Sequence, residues 1–249
     1  MGNTFLTAAA LAIALRPVPT DDALINLART RKPGDATRYQ VKAVAEVGGL
    51  EVTIDRTVRV DVKEVRENGD VVTITSDLGG KVSAMGQEIA SPKLSRLNAT
   101  TDKLGRLTKF QRSTDEIAIL SPESEQLLAI VQDYTLPDKP VKVGDTWTHE
   151  LANPLVKDAK ITVKGTLKGE ETVDGTVQRL IRHTVEAVVD AEGSKVKADM
   201  LFYVDPTTGG PIRFEGKAEG VPTQYGTLNF TFKALLLKPE PTPQPDKAP

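Results

Sequence analysis

Two histidines, His149 and His183, are the only side chains of this sequence that ordinarily titrate near neutral pH, and no cysteine accompanies them. Proton transfer, metal binding and pH sensing are the chemistries open to such residues. Metal binding asks for ligands at short, paired spacing, and these two have none. A catalytic histidine needs a nucleophile or an acid beside it, and no local motif supplies one. The patterns GxSxG, HExxH, GxxxxGK[ST] and GxGxxG are absent. No Asp/Asn-rich loop carries calcium-ligand spacing. The missing cysteines remove disulfides, thiolate catalysis, zinc–thiolate sites and cysteine lipidation. Glu64, Glu67 and Asp70 read as a solvated turn, and Glu123 and Glu125 as partners of a helix dipole. No catalytic group, metal or cofactor is therefore expected.

One oddity points to binding instead. In LEVTIDRTVRVDV (50–62), Leu50, Val52, Ile54, Val58, Val60 and Val62 share a face that also holds Arg56. In TVQRLIRHTVEAVVD (176–190), one face reads Val177, Arg179, Ile181, His183, Val185, Ala187 and Val189. An unpaired charge on a buried face is expensive. Three arrangements are open: a wet rim, pairing with carboxylates, or a cavity that receives an anionic head group. In the third, Arg56 and Arg179 anchor the head group and His183 is a pH-sensitive donor.

These side chains need strands to position them. Residues 50–62 alternate strictly, which predicts a strand with one wet face. Residues 39–47, 71–78, 161–169, 176–190, 195–205, 211–218 and 226–237 repeat the pattern, with turns at Gly48-Gly49, Asn68-Gly69, Glu192-Gly193 and Thr208-Gly209-Gly210. Short turns between such strands predict an antiparallel meander. One segment differs. SPESEQLLAIVQDY (121–134) offers Ser121 as N-cap, Pro122 in the first turn and an apolar stripe including Leu127, Leu128 and Val131. A single amphipathic helix there must cover something, and the concave side of a curved sheet is the natural surface. Leu127, Leu128 and Val131 would then wall an apolar site.

Two phrases occur twice in the same order. PGDATRY (33–39) matches VGDTW (143–147), and DKLGRLTKF (102–110) matches DPTTGGPIRF (205–214). This suggests an internal duplication, repeats 33–110 and 143–214, with the helix between them. Gly144-Asp145 is then a turn, and Trp147 a core anchor at the start of a strand.

The ends bound the domain. FLTAAALAIAL (5–15) is too short to span a bilayer and fits the apolar core of an export signal over residues 1–23. KPEPTPQPDKAP, at the other end, reads as an extended tail over 239–249. Net charge is -2, from 32 basic and 34 acidic residues, so no global field draws the chain to nucleic acid or an anionic membrane.

FYVDPTTGGPIRF resembles a hairpin of the LolA-like superfamily, the bacterial carriers of outer-membrane lipoproteins, and LPDKPVKVGDTW resembles a phrase of exported β-rich bacterial proteins. The resemblance implies a half-open antiparallel barrel with a helical lid and a cavity for acyl chains. Its motifs are short, and no functional residue of the carriers maps across one by one. The expectation is a mainly β, α+β domain over residues 24–238. It would be a strongly curved antiparallel sheet or half-open barrel whose concave face the helix covers, exported to the periplasm or beyond. It would bind an apolar or lipid-like ligand without catalysis. A structural module with a filled core, pairing with another envelope protein, is the rival; an enzyme is the third reading.

Overall fold

The computed structural model describes residues 23–47, 49–89, 96–113, 120–223 and 226–238. The expected export signal (1–23), apart from its last residue Ala23, and the expected Pro-rich tail (239–249) lie outside the described residues. The chain forms strands β1 (Ala36–Val47), β2 (Leu50–Val65), β3 (Val71–Ala84), β4 (Gln87–Ile89), β5 (Leu97–Thr101) and β6 (Leu107–Arg112). Helix α1 (Pro122–Val131) follows, then β7 (Thr146–Ala152), β8 (Lys160–Val173), β9 (Thr176–Val188), β10 (Lys195–Val204), β11 (Pro211–Thr223) and β12 (Gly226–Leu236).

All twelve strands belong to one antiparallel sheet ordered β6-β5-β3-β2-β1-β12-β11-β10-β9-β8-β7, with the short β4 paired to β3. The sheet curls into a nearly closed barrel with a single seam between its two ends, β6 and β7. The helix is shorter than 121–134. Ser121 caps it by accepting from the Ser124 amide, Pro122 opens it, and Gln132 ends it. Beyond Gln132 the chain runs extended, because its polar groups bond to the strands rather than to the preceding turn.

The two halves share a plan. The meander β1-β2-β3-β5-β6 is matched by β7-β8-β9-β10-β11, and the paired phrases of the sequence sit at equivalent corners. Gly34 and Gly144 both have φ of 91°, a left-handed conformation that a glycine adopts without penalty. Asp35 closes its turn by accepting from the Lys32 amide at 2.8 Å, and Asp145 does the same with Lys142 at 2.9 Å. Gly34 then donates to Val62 on β2, and Gly144 to Leu167 on β8. The second corner repeats too: Gly105 donates to the Asp102 carbonyl, and Gly209 to that of Asp205. β12 joins the halves by pairing with β1 on one side and β11 on the other.

The core lies under α1 in the second half. Leu127 and Val131 of the helix are fully buried with Ile161, Val163, Leu167, Ile181 and Phe202 of the sheet. A transverse row organises it. Trp147, Gly165, His183, Met200, Gly216 and Phe232 are cross-strand neighbours on the inner face. The Trp147 indole lies flat over Gly165, where a Cβ would stand 2.2 Å from ring atom Cε2. Trp147 is thus the anchor its composition suggested, and glycine is its seat. Gly165→Ala is expected to cost on the order of 3 kcal/mol, as overpacking does in a filled core. Urea denaturation should show this, and the penalty should shrink in a Trp147→Leu background.

Candidate functional site

Two regions of the concave side combine polar chemistry with position: the seam, and the open half of the barrel. The seam comes first because α1 and residues 132–141 fill it. Leu136 donates its amide to the Leu104 carbonyl, in the β5–β6 corner, at 2.8 Å. The Leu136 carbonyl meets His149 Nε2 of β7 at 2.8 Å, and the Thr135 carbonyl accepts from Trp147 Nε1 at 3.0 Å. The two sheet ends are therefore bridged through one extended segment, called the strap below. Its far end pairs with the N-terminal segment through an Ile25–Val141 bridge.

At the head of the strap lies a polar cluster that the sequence did not announce. Arg29 donates to Asp133 Oδ2 at 3.0 Å and approaches Oδ1 at 2.7 Å, and it also donates to the Tyr134 carbonyl. Its guanidinium lies over the Tyr134 ring, 3.8 Å from the centroid. The Tyr134 hydroxyl donates to the Gly209 carbonyl at 2.5 Å. The two equivalent corners converge here: a Cβ on Gly105 would meet the Tyr134 carbonyl, and one on Gly209 would meet the Ala28 backbone. Burial works against the Arg29 charge, but Asp133 and Tyr134 outweigh it and hold the guanidinium protonated. Burial raises the Tyr134 hydroxyl well above its usual range, with Arg29 opposing.

His183 is beneath this layer. It is fully buried, its edge on the Phe202 ring at 5.9 Å, and neither ring nitrogen has a partner. Burial pushes its pKa down to about 4; Asp133 opposes that shift, while Arg29 and His149 add to it. At neutral pH it is an uncharged, unpartnered ring inside the core.

The two arginines have separate places. Arg56 is buried on β2 and donates through Nε to Asp77 Oδ1 at 3.1 Å and through Nη2 to Oδ2. Asp77 reaches this face because the β2–β3 register shifts between Thr57 and Val58, which sets Val58 opposite Asp77 and Thr57 opposite Gly79. Arg179 is half-buried on β9, bonded to Glu170 Oε1 at 2.7 Å and the Pro206 carbonyl at 3.3 Å. Strands β10, β11, β12 and β1 separate β9 from β2, and each arginine is engaged by its own carboxylate. Leu127 and Val131 belong to the filled core, with Leu128 packed against it. Gly144 and Asp145 form the turn before Trp147, as described. Among the described residues no group of three or more His, Asp or Glu side chains is placed to hold a metal ion.

Among the described residues no helix or strap covers the inner face of the first half of the barrel. The transverse row continues from Phe232 through Ala43, Ile54 and Val82 to Ile89. Exposure along it rises from 0% at His183 and 4% at Phe232, through half-buried Ala43, Ile54 and Val82, to 44% at Ile89. One row toward the tips, Val52 and Ala84 are half-buried, and Leu50 and Met85 are exposed. One row inward stands Arg56, opposite Gly80. The result is an apolar trough between β2, β3 and β4 with an ion pair at its inner end. A shallow depression on the convex side, lined by Lys42, Val44, Glu215, Thr231 and Lys233, is a separate feature whose Lys233 and Glu215 pair at 3.3 Å.

No family model and no curated protein matches the chain. Among solved structures, it is similar to the hypothetical lipoprotein YmcC of Escherichia coli K12, with 12% identity over 85% of this chain and 91% of that one and a TM-score of 0.36. A Bacteroides fragilis protein with a YmcC-like fold aligns at 10% identity over 85% and 97%, with a TM-score of 0.34. A DUF1329 family protein of Desulfovibrio piger aligns at 9% identity over 81% and 84%, with a TM-score of 0.26. Likeness at this level carries no function across.

The buried ion pair makes a sharp prediction. Asp77→Asn removes the carboxylate charge that Arg56 is bonded to inside the barrel and is expected to lower stability by about 3 kcal/mol. Replacing both partners, as Arg56→Met with Asp77→Leu, should cost less than the single change, since no charge then stays buried. Chemical denaturation of the three variants reads this directly.

Proposed function

We propose that the protein is an exported, noncatalytic binding protein for an apolar, acyl-chain-like ligand of the cell envelope. The observation that carries this reading is the rise in exposure along the transverse row. The same inner face is sealed by α1 in the second half and left as an open apolar trough in the first. Soluble domains seldom leave a continuous apolar face uncovered without a use for it. The trough walls are Leu50, Val52, Ile54, Val82, Ala84 and Ile89, with Gln87 at the rim opposite Ala84, so its complement is mainly hydrocarbon. At the inner end stands the buried Arg56–Asp77 ion pair, which ends the aliphatic stretch with a neutralised pair of charges. The apolar run at residues 5–15 supports export, and the carrier-like phrase FYVDPTTGGPIRF points to the same class of ligand. Its Asp-Pro strand end, Thr-Gly turn and Arg-bearing strand form the β10–β11 hairpin.

Arg179, His183, Leu127, Leu128 and Val131 stand outside this trough while the strap is in place. In the proposed reading they are framework, and a ligand reaches the helix residues only when the strap lifts.

A fluorescent dansylated fatty acid, titrated into the delipidated full chain, tests the reading. Saturable binding is expected, weakened at least tenfold by Ile54→Glu, which places a charge among the trough walls at a cost of more than about 1.4 kcal/mol. Lys109→Glu, on the outer face of β6, should leave it unchanged. Absence of saturable binding, or equal binding by the Ile54→Glu protein, would overturn the proposal and favour the filled-core interaction module.

A further inference from the structure

We propose that His183 is an acid-operated latch for the strap: taking up a proton at this ring releases residues 132–141 from the concave face and opens the sealed half of the barrel. The inference stands on placement and does not depend on the ligand reading above.

The ring cannot be hydrated where it lies. Below it is the sheet, where β9 is held by long antiparallel ladders to β8, with one register shift between Leu167 and Gly169, and to β10. Beside it in the row are Gly165, under the Trp147 indole, and Met200, and its edge rests on Phe202. Above it are α1 and the strap. A proton on His183 creates a fully buried cation with two donors and no acceptor among the described residues. Such a charge must find solvent or a counter-ion.

The described elements packed there supply no free counter-ion. The N-terminal segment presents Arg29, a second cation. β7 presents His149, whose Nε2 is already set on the Leu136 carbonyl. The strap presents Asp133, the one carboxylate among the described residues that acts on His183, and both its oxygens face the Arg29 guanidinium. Asp133 Oδ1 also accepts from the Tyr134 amide. Nothing remains to neutralise an imidazolium, so solvent must come in.

The strap is the part that yields. It has no ladder of its own. It is held by the Trp147 bond to the Thr135 carbonyl, the contact of His149 with the Leu136 carbonyl, the Leu136 amide to the Leu104 carbonyl, Tyr134 to Gly209, Arg29 to Asp133 and to the Tyr134 carbonyl, the Ile25–Val141 bridge, and the burial of Tyr134, Leu136 and Val141. Opening a local unit of this kind requires far less than separating β9 from either neighbour. The direction in pH follows. The folded-state pKa of His183 is lowered from 6.5 to about 4. The closed state therefore keeps its full stability above pH 6.5 and loses it progressively as the pH falls toward 4.

The chain reports on itself, because Trp147 is its only tryptophan and its indole is bonded to the strap. Trp147 emission and far-UV circular dichroism should be followed on the full chain from pH 8 to 4. The expected result is a red shift of emission and easier acrylamide quenching below pH 6.5, while the strand signal persists. His183→Leu should move the emission change down by about one pH unit or more. A His183→Leu protein that follows the wild-type curve overturns the latch, as does a wild type whose emission and strand signal are lost together. Should His183→Leu fail to fold, nitrogen-15 NMR of the two histidine rings in the wild type decides the matter. A His183 ring that stays neutral until Trp147 emission changes supports the latch. One that titrates near pH 6.5 with Trp147 undisturbed refutes it.

Discussion

The backbone of Leu136 holds two ends of a sheet together that do not pair with each other. Its amide reaches the β5–β6 corner and its carbonyl reaches His149 on β7. A sheet that curls nearly to closure but stops short leaves two edges rich in unpaired backbone groups. Here a helix and an extended strap occupy the gap in place of a further strand. That choice determines the rest. The helix needs a filled surface beneath it, which the second half supplies. The strap needs polar handles on both rims, and the Trp147 indole, the His149 ring and the Leu104 carbonyl are those handles.

The same choice divides the interior. Where α1 lies, aliphatic side chains fill the space and the buried charges cluster at the strap's head. Where it does not reach, the inner face of β2, β3 and β4 keeps its aliphatic character without a cover. Arg56 marks the border. Its partner Asp77 removes the need for water at that point, so the aliphatic walls toward the tips can stay continuous. Buried ion pairs of this sort contribute little net stability; this one sets the chemical character of one end of a trough.

Much of the architecture was legible in the sequence, for reasons that can be assigned. Alternation over residues 50–62 and 195–205 is legible because each strand keeps one apolar side toward the inside of the barrel. Ser121 and Pro122 marked the helix start through local chemistry. The paired Gly-Asp phrases were legible because each turn is closed by its own aspartate. What escaped notice depended on distant partners. Arg29 lies in a segment with no periodicity, and its role comes from corners contributed by both halves. Asp77 faces Arg56 only through a register shift, and the exposed Leu78 beside Gly79-Gly80 was the available hint. The helix was drawn three residues too long at its C-terminal end, because Tyr134 continues the apolar stripe while its backbone already serves Arg29. His183 was read correctly as inward-facing, but periodicity could not say that no partner would meet it.

The position of β12 has a kinetic consequence. Each meander can assemble from contacts between neighbours in sequence, hairpin upon hairpin. The join between them cannot, because β1 pairs with β12, matching Tyr39 to Leu236 across nearly the whole described chain. Loop closure on that scale slows folding, and it cannot begin before the last strand exists. Until then β1 and β11 each expose a bare ladder edge. Such a chain gains from being kept unfolded until synthesis is complete, and its final step is the insertion of a single strand between two preformed sheets.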